Sequence, residues 1–247
     1  MKKLVLLALA VVTLVACRQP VEDKPVQVGA VHRDTIQGVP CRVYLPDGVE
    51  KGKVDGEKYP VLYLQHGMSG NESDWTVKGN LIGIMDTLLK CGRVKEMVVV
   101  MPDNCPSRPS YDEELANATS GKWEAGFAAF MGEAERRYPI SSNPAERAIA
   151  GLSIGGYHTM MISSLLDGQF AYVGLFSPAT LDHKAPTAPK VFWIGIGKDD
   201  FLYDMLQDYR QWLDDNKIQY TYYESAGGHD WPNWQDYLSR FLPLCFR

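Results

Sequence analysis

Gly151-Leu152-Ser153-Ile154-Gly155 sets a serine between two glycines, with the apolar run Ala148-Ile149-Ala150 before it and a helix-compatible segment after it. This is the layout of a nucleophile elbow, in which a strand turns sharply into a helix and leaves the serine at the apex. A side chain at either flanking position would crowd so tight a turn. A serine hydroxyl is a weak nucleophile at neutral pH. It needs a base to take its proton and a carboxylate to hold that base in one tautomer. Both follow Ser153 in the chain, acid first and base second. The run Val191-Phe192-Trp193-Ile194-Gly195-Ile196-Gly197 reads as a buried strand that passes directly into Lys198-Asp199-Asp200. A carboxylate, Asp199 or Asp200, therefore stands at its C-terminal end. A second strand-like run, Ile218 to Glu224, leads to Ser225-Ala226-Gly227-Gly228-His229, so the imidazole sits in a glycine-rich loop. Upstream, Val61 to Gln65 reads as a strand and His66-Gly67-Met68-Ser69-Gly70 as the loop after it. Main-chain N–H groups in such a loop can meet the negative charge of a tetrahedral intermediate, and the donors expected are Met68 and Ile154. The chemistry implied is acyl transfer, with Ser153 as nucleophile and His229 as general base.

Each of these residues must be delivered by a strand end. Strand-like runs fall near 26–33, 40–45, 60–65, 96–101, 146–150, 171–176, 190–196 and 218–224, with Gly38-Val39-Pro40 as turn material in an early hairpin. The later runs are continuously apolar, as expected of strands buried on both faces. Helix-compatible segments lie near 80–91, 122–137, 154–167, 201–215 and 232–241. This alternation predicts an α/β fold, a mostly parallel central sheet flanked by helices on both faces. The inserts are too short for a separate lid domain. The longest irregular stretch at the predicted site runs from Pro102 to about Gly121 and carries Asn104, Cys105, Arg108 and Tyr111. Residues Gly48 to Gly56 read as a solvated polar loop.

The chain of 247 residues opens with Met1-Lys2-Lys3 and an apolar run from Leu4 to Val15 that ends Leu14-Val15-Ala16-Cys17. Residues 1–16 read as a secretory signal, too short to span a membrane. The ending resembles a bacterial lipobox, which implies lipidation of Cys17, a tether over residues 17–28, and placement in the cell envelope, periplasmic or surface-exposed. Residues 29–247 remain for one domain. The net charge is −5 and no Lys/Arg block occurs, so nucleic acid is not an expected partner. Cys41, Cys91, Cys105 and Cys245 either pair in up to two bridges or stay buried as thiols. None has metal-ligand spacing, and neither a metal nor a cofactor is expected.

His66 precedes Ser153 and is expected to support the oxyanion loop; His158 is expected to pack, and His32 and His183 to lie at the surface. Tryptophans more often fill cores than bind ligands, and packing is the first expectation for Trp75, Trp123, Trp231 and Trp234. Trp231 and Trp234 would brace the His229 loop. The candidates for substrate contact are Trp123, by stacking, and Trp75, by closing the oxyanion loop.

Leu62-Tyr63-Leu64-Gln65-His66-Gly67, Asn71-Glu72-Ser73-Asp74-Trp75, Met97 to Asp103, Arg147 to Gly156 and Gly228-His229-Asp230-Trp231 with Trp234 together resemble the Putative esterase (esterase D-like) branch of the α/β-hydrolases. Within it the chain looks most like carbohydrate esterase family one, the feruloyl and acetyl-xylan esterases. The resemblance runs from about Val39 to the C-terminus. It implies an α/β-hydrolase fold, a Ser-His-Asp triad and acyl esters of plant polysaccharide as substrates. It also selects Asp200 as the acid, through Gly197-Lys198-Asp199-Asp200-Phe201-Leu202. Siderophore (trilactone) esterases and acyltransferases resemble the same branch. S-formylglutathione hydrolases share it too, but a secretory signal argues against their cytosolic compartment. From another class, a non-catalytic glycan-binding lipoprotein remains the alternative.

Overall fold

The computed structural model describes residues 29–49, 56–106 and 110–247. The expected signal segment, Cys17 and its tether, residues 50–55 of the polar loop, and Arg108 lie outside the described residues. Eight strands form one sheet: β1 (Ala30–Ile36), β2 (Val39–Leu45), β3 (Val61–Gln65), β4 (Val98–Pro102), β5 (Arg147–Leu152), β6 (Tyr172–Phe176), β7 (Val191–Gly197) and β8 (Thr221–Ser225). Their order across the sheet is β1-β2-β4-β3-β5-β6-β7-β8. The β1–β2 and β2–β4 pairs are antiparallel, and the other pairs are parallel. The hairpin turn is Gln37-Gly38, both at positive φ, so β2 begins one residue earlier than expected and Val39-Pro40 belong to the strand.

The central strands are apolar along most of their length because each feeds two cores. In β3, Val61 and Tyr63 join one cluster while Leu62 and Leu64 join the other; in β4, Val98 and Val100 oppose Val99 and Met101. Strand side chains alternate between faces, so a strand buried on both sides has no polar position to spare. On the first face lie α4 (Lys122–Arg137), α5 (Ile154–Leu165) and α6 (Tyr203–Asp215). On the second lie α1 (Asp74–Val77), α2 (Leu81–Lys90) and α7 (Trp231–Phe241). In α7, Trp234, Tyr237, Leu238 and Phe241 form the buried stripe, at the spacing of one helical face.

The stretch from Pro102 to Gly121 is not irregular throughout. It holds α3 (Tyr111–Ala118), opened by a capping box in which Ser110 and Glu113 bind each other's main chain. The Ser-x-x-Glu spacing is a legible start signal. The helix behind it buries only Glu114 and Ala118, which leaves little apolar periodicity to detect. Cys41, Cys105 and Cys245 are buried. Cys245 is a free thiol, pushed well above its ordinary pKa by burial, so the four cysteines are not joined in two bridges.

In the first core Phe127 meets Tyr63, Trp123, Phe130 and Phe170, with ring centroids 5.4–6.4 Å apart. Phe127 is fully buried. Phe127→Ala should therefore destabilise the protein by about 3–5 kcal/mol, the usual cost of deleting a core aromatic and leaving its cavity. Urea denaturation monitored by circular dichroism would measure it.

Candidate active site

Ser153 joins β5 to α5 with φ 57° and ψ −122°, a conformation that L residues rarely adopt. Such strain costs about 1–3 kcal/mol and persists only where surrounding contacts over-determine it. Here the Ser153 N–H donates to Phe176 O, and Ser153 O accepts from Gly156, Tyr157 and Ala179 N–H. The end of β6 thus ties the elbow down. The two flanking glycines have no room for a side chain. A Cβ on Gly151 would lie 2.3 Å from Gly155 O, and one on Gly155 would lie 2.2 Å from His66 O.

The structure brings the three expected side chains into one row. His229 Nε2 is 2.9 Å from Ser153 Oγ, and His229 Nδ1 is 3.0 Å from each Asp200 carboxylate oxygen. Nδ1–H therefore donates to Asp200, and Nε2 faces the serine hydroxyl as acceptor. Asp199 is exposed on the other side of the turn, and only Asp200 reaches the imidazole. Burial pushes the Asp200 carboxyl pKa up. The His229 hydrogen bond and the Leu202 N–H (2.9 Å from Oδ1) hold it below the ordinary aspartate range despite burial. Phe201 covers one side of His229 with ring centroids 4.5 Å apart, and the edge-on Trp234 ring, 4.9 Å away, braces another.

The loop after β3 is a tight turn, Gly70 N–H donating to Gly67 O, with Ser69 at φ 58°. Among the described residues neither the Met68 nor the Ile154 N–H meets a protein acceptor. The latter opens a 12-residue helix, whose N-terminal end carries partial positive charge. His66 is buried behind the loop as expected. Its Nδ1 donates to Gly67 O (2.7 Å), and its Nε2 lies 3.1 Å from the Asn104 N and 3.3 Å from Asp103 Oδ1. His158 is buried with Nδ1 2.6 Å from Glu124 Oε1. His183 is exposed and His32 half-buried.

The row opens into a cavity of about 550 Å³. Leu115, Ile154, Ala179, Leu181, Met205 and Trp231 supply apolar wall, and Asp74, Lys78 and Tyr111 supply polar atoms. Neither Trp123 nor Trp75 lines it, and the expectation of substrate contact is corrected for both. The Trp123 indole donates to Gln65 Oε1 (3.3 Å) and packs on Phe127 and Phe130. Trp75 is buried, and its indole donates to Gln65 O (3.0 Å). Both grip the last residue of β3 from within the two cores. Trp231 and Trp234, expected as braces, also face the cavity. Among the described residues no three His, Cys, Asp or Glu side chains are placed to hold a metal ion.

Residues 37–218 match the family model described as Putative esterase. The chain belongs to this family. An endo-1,4-beta-xylanase/feruloyl esterase of Xylanibacter ruminicola is 35% identical over 164 residues, 64% of this chain and 22% of that enzyme. The chain thus spans about a fifth of that relative's length. An acetyl esterase of Caldicellulosiruptor saccharolyticus is 24% identical over 243 residues, 78% of this chain and 86% of that one. Among solved structures, a ferulic acid esterase of Anaeromyces mucronatus in complex with ferulic acid superimposes with a TM-score of 0.73 at 23% identity, covering 92% of this chain and 94% of the other. The fold is that of the α/β-hydrolase esterases.

Because folded Asp200 titrates below the ordinary aspartate value of 3.8, its contribution to stability is present above that value and is lost as pH falls through the lower, folded one. In urea denaturation, wild type should exceed Asp200→Asn most at neutral pH. The gap should close as pH drops below the ordinary carboxylate range. A gap independent of pH would remove the charge from the account.

Proposed function

We propose that this protein is a serine esterase that removes acyl groups from plant polysaccharide, with feruloyl favoured over acetyl. The observation that carries the reading is the Ser153–His229–Asp200 row opening into an apolar cavity of about 550 Å³. An acetyl group would leave most of that wall in contact with water, whereas a hydroxycinnamoyl ring would cover it. In this reading Ser153 Oγ attacks the ester carbonyl as His229 Nε2 takes its proton. The oxyanion forms against the Met68 and Ile154 N–H groups, and His229 then returns the proton to the leaving sugar alcohol. Asp200 holds Nδ1–H throughout and stabilises the imidazolium. Water, deprotonated by the same imidazole, releases the acid from the acyl-enzyme. The two curated relatives are named for feruloyl and acetyl ester cleavage, which supports both acyl classes. A lipid anchor at Cys17, read from sequence, would hold the enzyme at a bacterial envelope.

The test is hydrolysis of methyl ferulate and methyl acetate by wild type and by three variants. Burying an aromatic ring is worth about 1.5–3 kcal/mol, so kcat/KM should favour ferulate by about tenfold or more. Ser153→Ala should cost about 10⁴-fold or more, and Asp200→Asn about 10³–10⁴-fold. Asp199→Asn, at an exposed position, should change rates by less than about threefold. Folded wild type that cleaves neither ester would sink the esterase reading, and a preference for acetate would sink the feruloyl assignment alone.

A further inference from the structure

Helix α3 presents one stripe toward the protein. Glu114, Leu115 and Ala118 form its buried and half-buried side, and Tyr111, one turn earlier on the same face, is exposed where it borders the cavity. An apolar residue is expected in the middle of such a stripe, yet Glu114 occupies it and is only 5% exposed. A carboxylate is tolerated there because it is paired. Glu114 Oε1 accepts from the Ser69 N–H at 2.7 Å, and Oε2 accepts from Ser69 Oγ at 3.3 Å. Ser69 is the left-handed residue of the oxyanion turn, where a side chain is disfavoured, and it directly follows Met68. Tyr111 and Leu115, on either side of Glu114 along the stripe, line the same cavity as Ser153.

We propose that Glu114 is a positioning residue that clamps Ser69, sets the direction of the adjacent Met68 N–H, and so couples the filling of the cavity to the geometry of the oxyanion hole. The inference rests on the esterase reading of the site. Through Glu114 the helix is tied to the loop by charge-assisted hydrogen bonds. An acyl group packed on Tyr111 and Leu115 holds that helix in place; an acyl group too small to reach them does not. The clamp then matters most for small acyl groups. A substrate that fills the cavity also packs on Met68 and Ser69, which line it, and so supplies part of the same restraint directly.

The experiment compares wild type, Glu114→Gln and Glu114→Leu on p-nitrophenyl acetate and methyl ferulate. Rates are expressed per active site counted with a serine-directed fluorophosphonate, after circular dichroism confirms folding. The Gln amide can still accept from the Ser69 N–H and donate to Ser69 Oγ, so Glu114→Gln should keep kcat within about threefold. Glu114→Leu should lower kcat on the acetate by about 10- to 100-fold, as for a misplaced oxyanion donor, with KM changed by less than about threefold. Its loss on methyl ferulate should be several-fold smaller. Equal losses in the two variants, equal losses on the two esters, or unchanged kcat per active site in Glu114→Leu would each overturn the proposal. The rate of Ser153 phosphonylation is read on the same proteins, because negative charge develops at the same N–H groups. If wild type cleaves neither ester, the substrate reading falls while this rate still decides the clamp: at least about tenfold slower in Glu114→Leu than in Glu114→Gln supports it, and equal rates overturn it.

Discussion

The contact on which the site depends is between two main chains, the elbow after β5 and the loop after β3. Gly155 approaches His66 O and Gln65 so closely that a single added carbon would lie 2.2 Å from that oxygen and 2.9 Å from Gln65 Cβ. Because the backbones touch, Ile154 at the start of α5 and Met68 line one cavity with Ser153. The surroundings hold this contact from several sides. Trp75 and Trp123 bond Gln65 through its carbonyl and its side chain, His66 fixes the Gly67 carbonyl, and the end of β6 secures Ser153. A strained serine is stable here because its neighbours leave it one position.

Parallel topology does the rest of the positioning. β3, β5, β7 and β8 run in one direction, so the loop after β3, Ser153, Asp200 and His229 all emerge at the same edge. The crevice outside the carboxyl ends of parallel strands is where α/β sheets place their sites, since each loop there follows a rigid strand. The carboxylate of Asp200 is kept in a dry position by the His229 Nδ1–H and Leu202 N–H donors, and it holds the imidazole of His229 in the tautomer that faces Ser153. The N-terminal end of α5 adds positive potential beside Ser153.

Behind the elbow the protein accepts an energetic cost. Glu124 and His158 pair inside the α4–α5 interface, and Glu124 Oε2 and Gln65 Nε2 are buried without a hydrogen-bond partner among the described residues. Each such atom costs about 1–3 kcal/mol. Apolar residues could pack α4 on α5 more cheaply. A buried hydrogen-bonded pair, by contrast, is satisfied in few arrangements, which holds α5 in one position against α4.

The sequence by itself determined the eight strands, the five longer helices and the order of the site residues, because the signals for these are local. Runs apolar at every position mark strands covered on both faces, and the glycines around Ser153 mark a turn that admits no Cβ. Between Asp199 and Asp200 the residues alone left a choice. Only the turn after β7 decided it, by burying one carboxylate against His229 and exposing its neighbour. The same holds for the tryptophans. Whether an indole faces a cavity or a core depends on how its helix is rotated on the sheet, and this turned Trp123 and Trp75 inward and Trp231 toward the site. Glu114 was hidden for a related reason: its partner, Ser69, lies 45 residues away, and no local pattern distinguishes a buried, paired carboxylate from a solvated one.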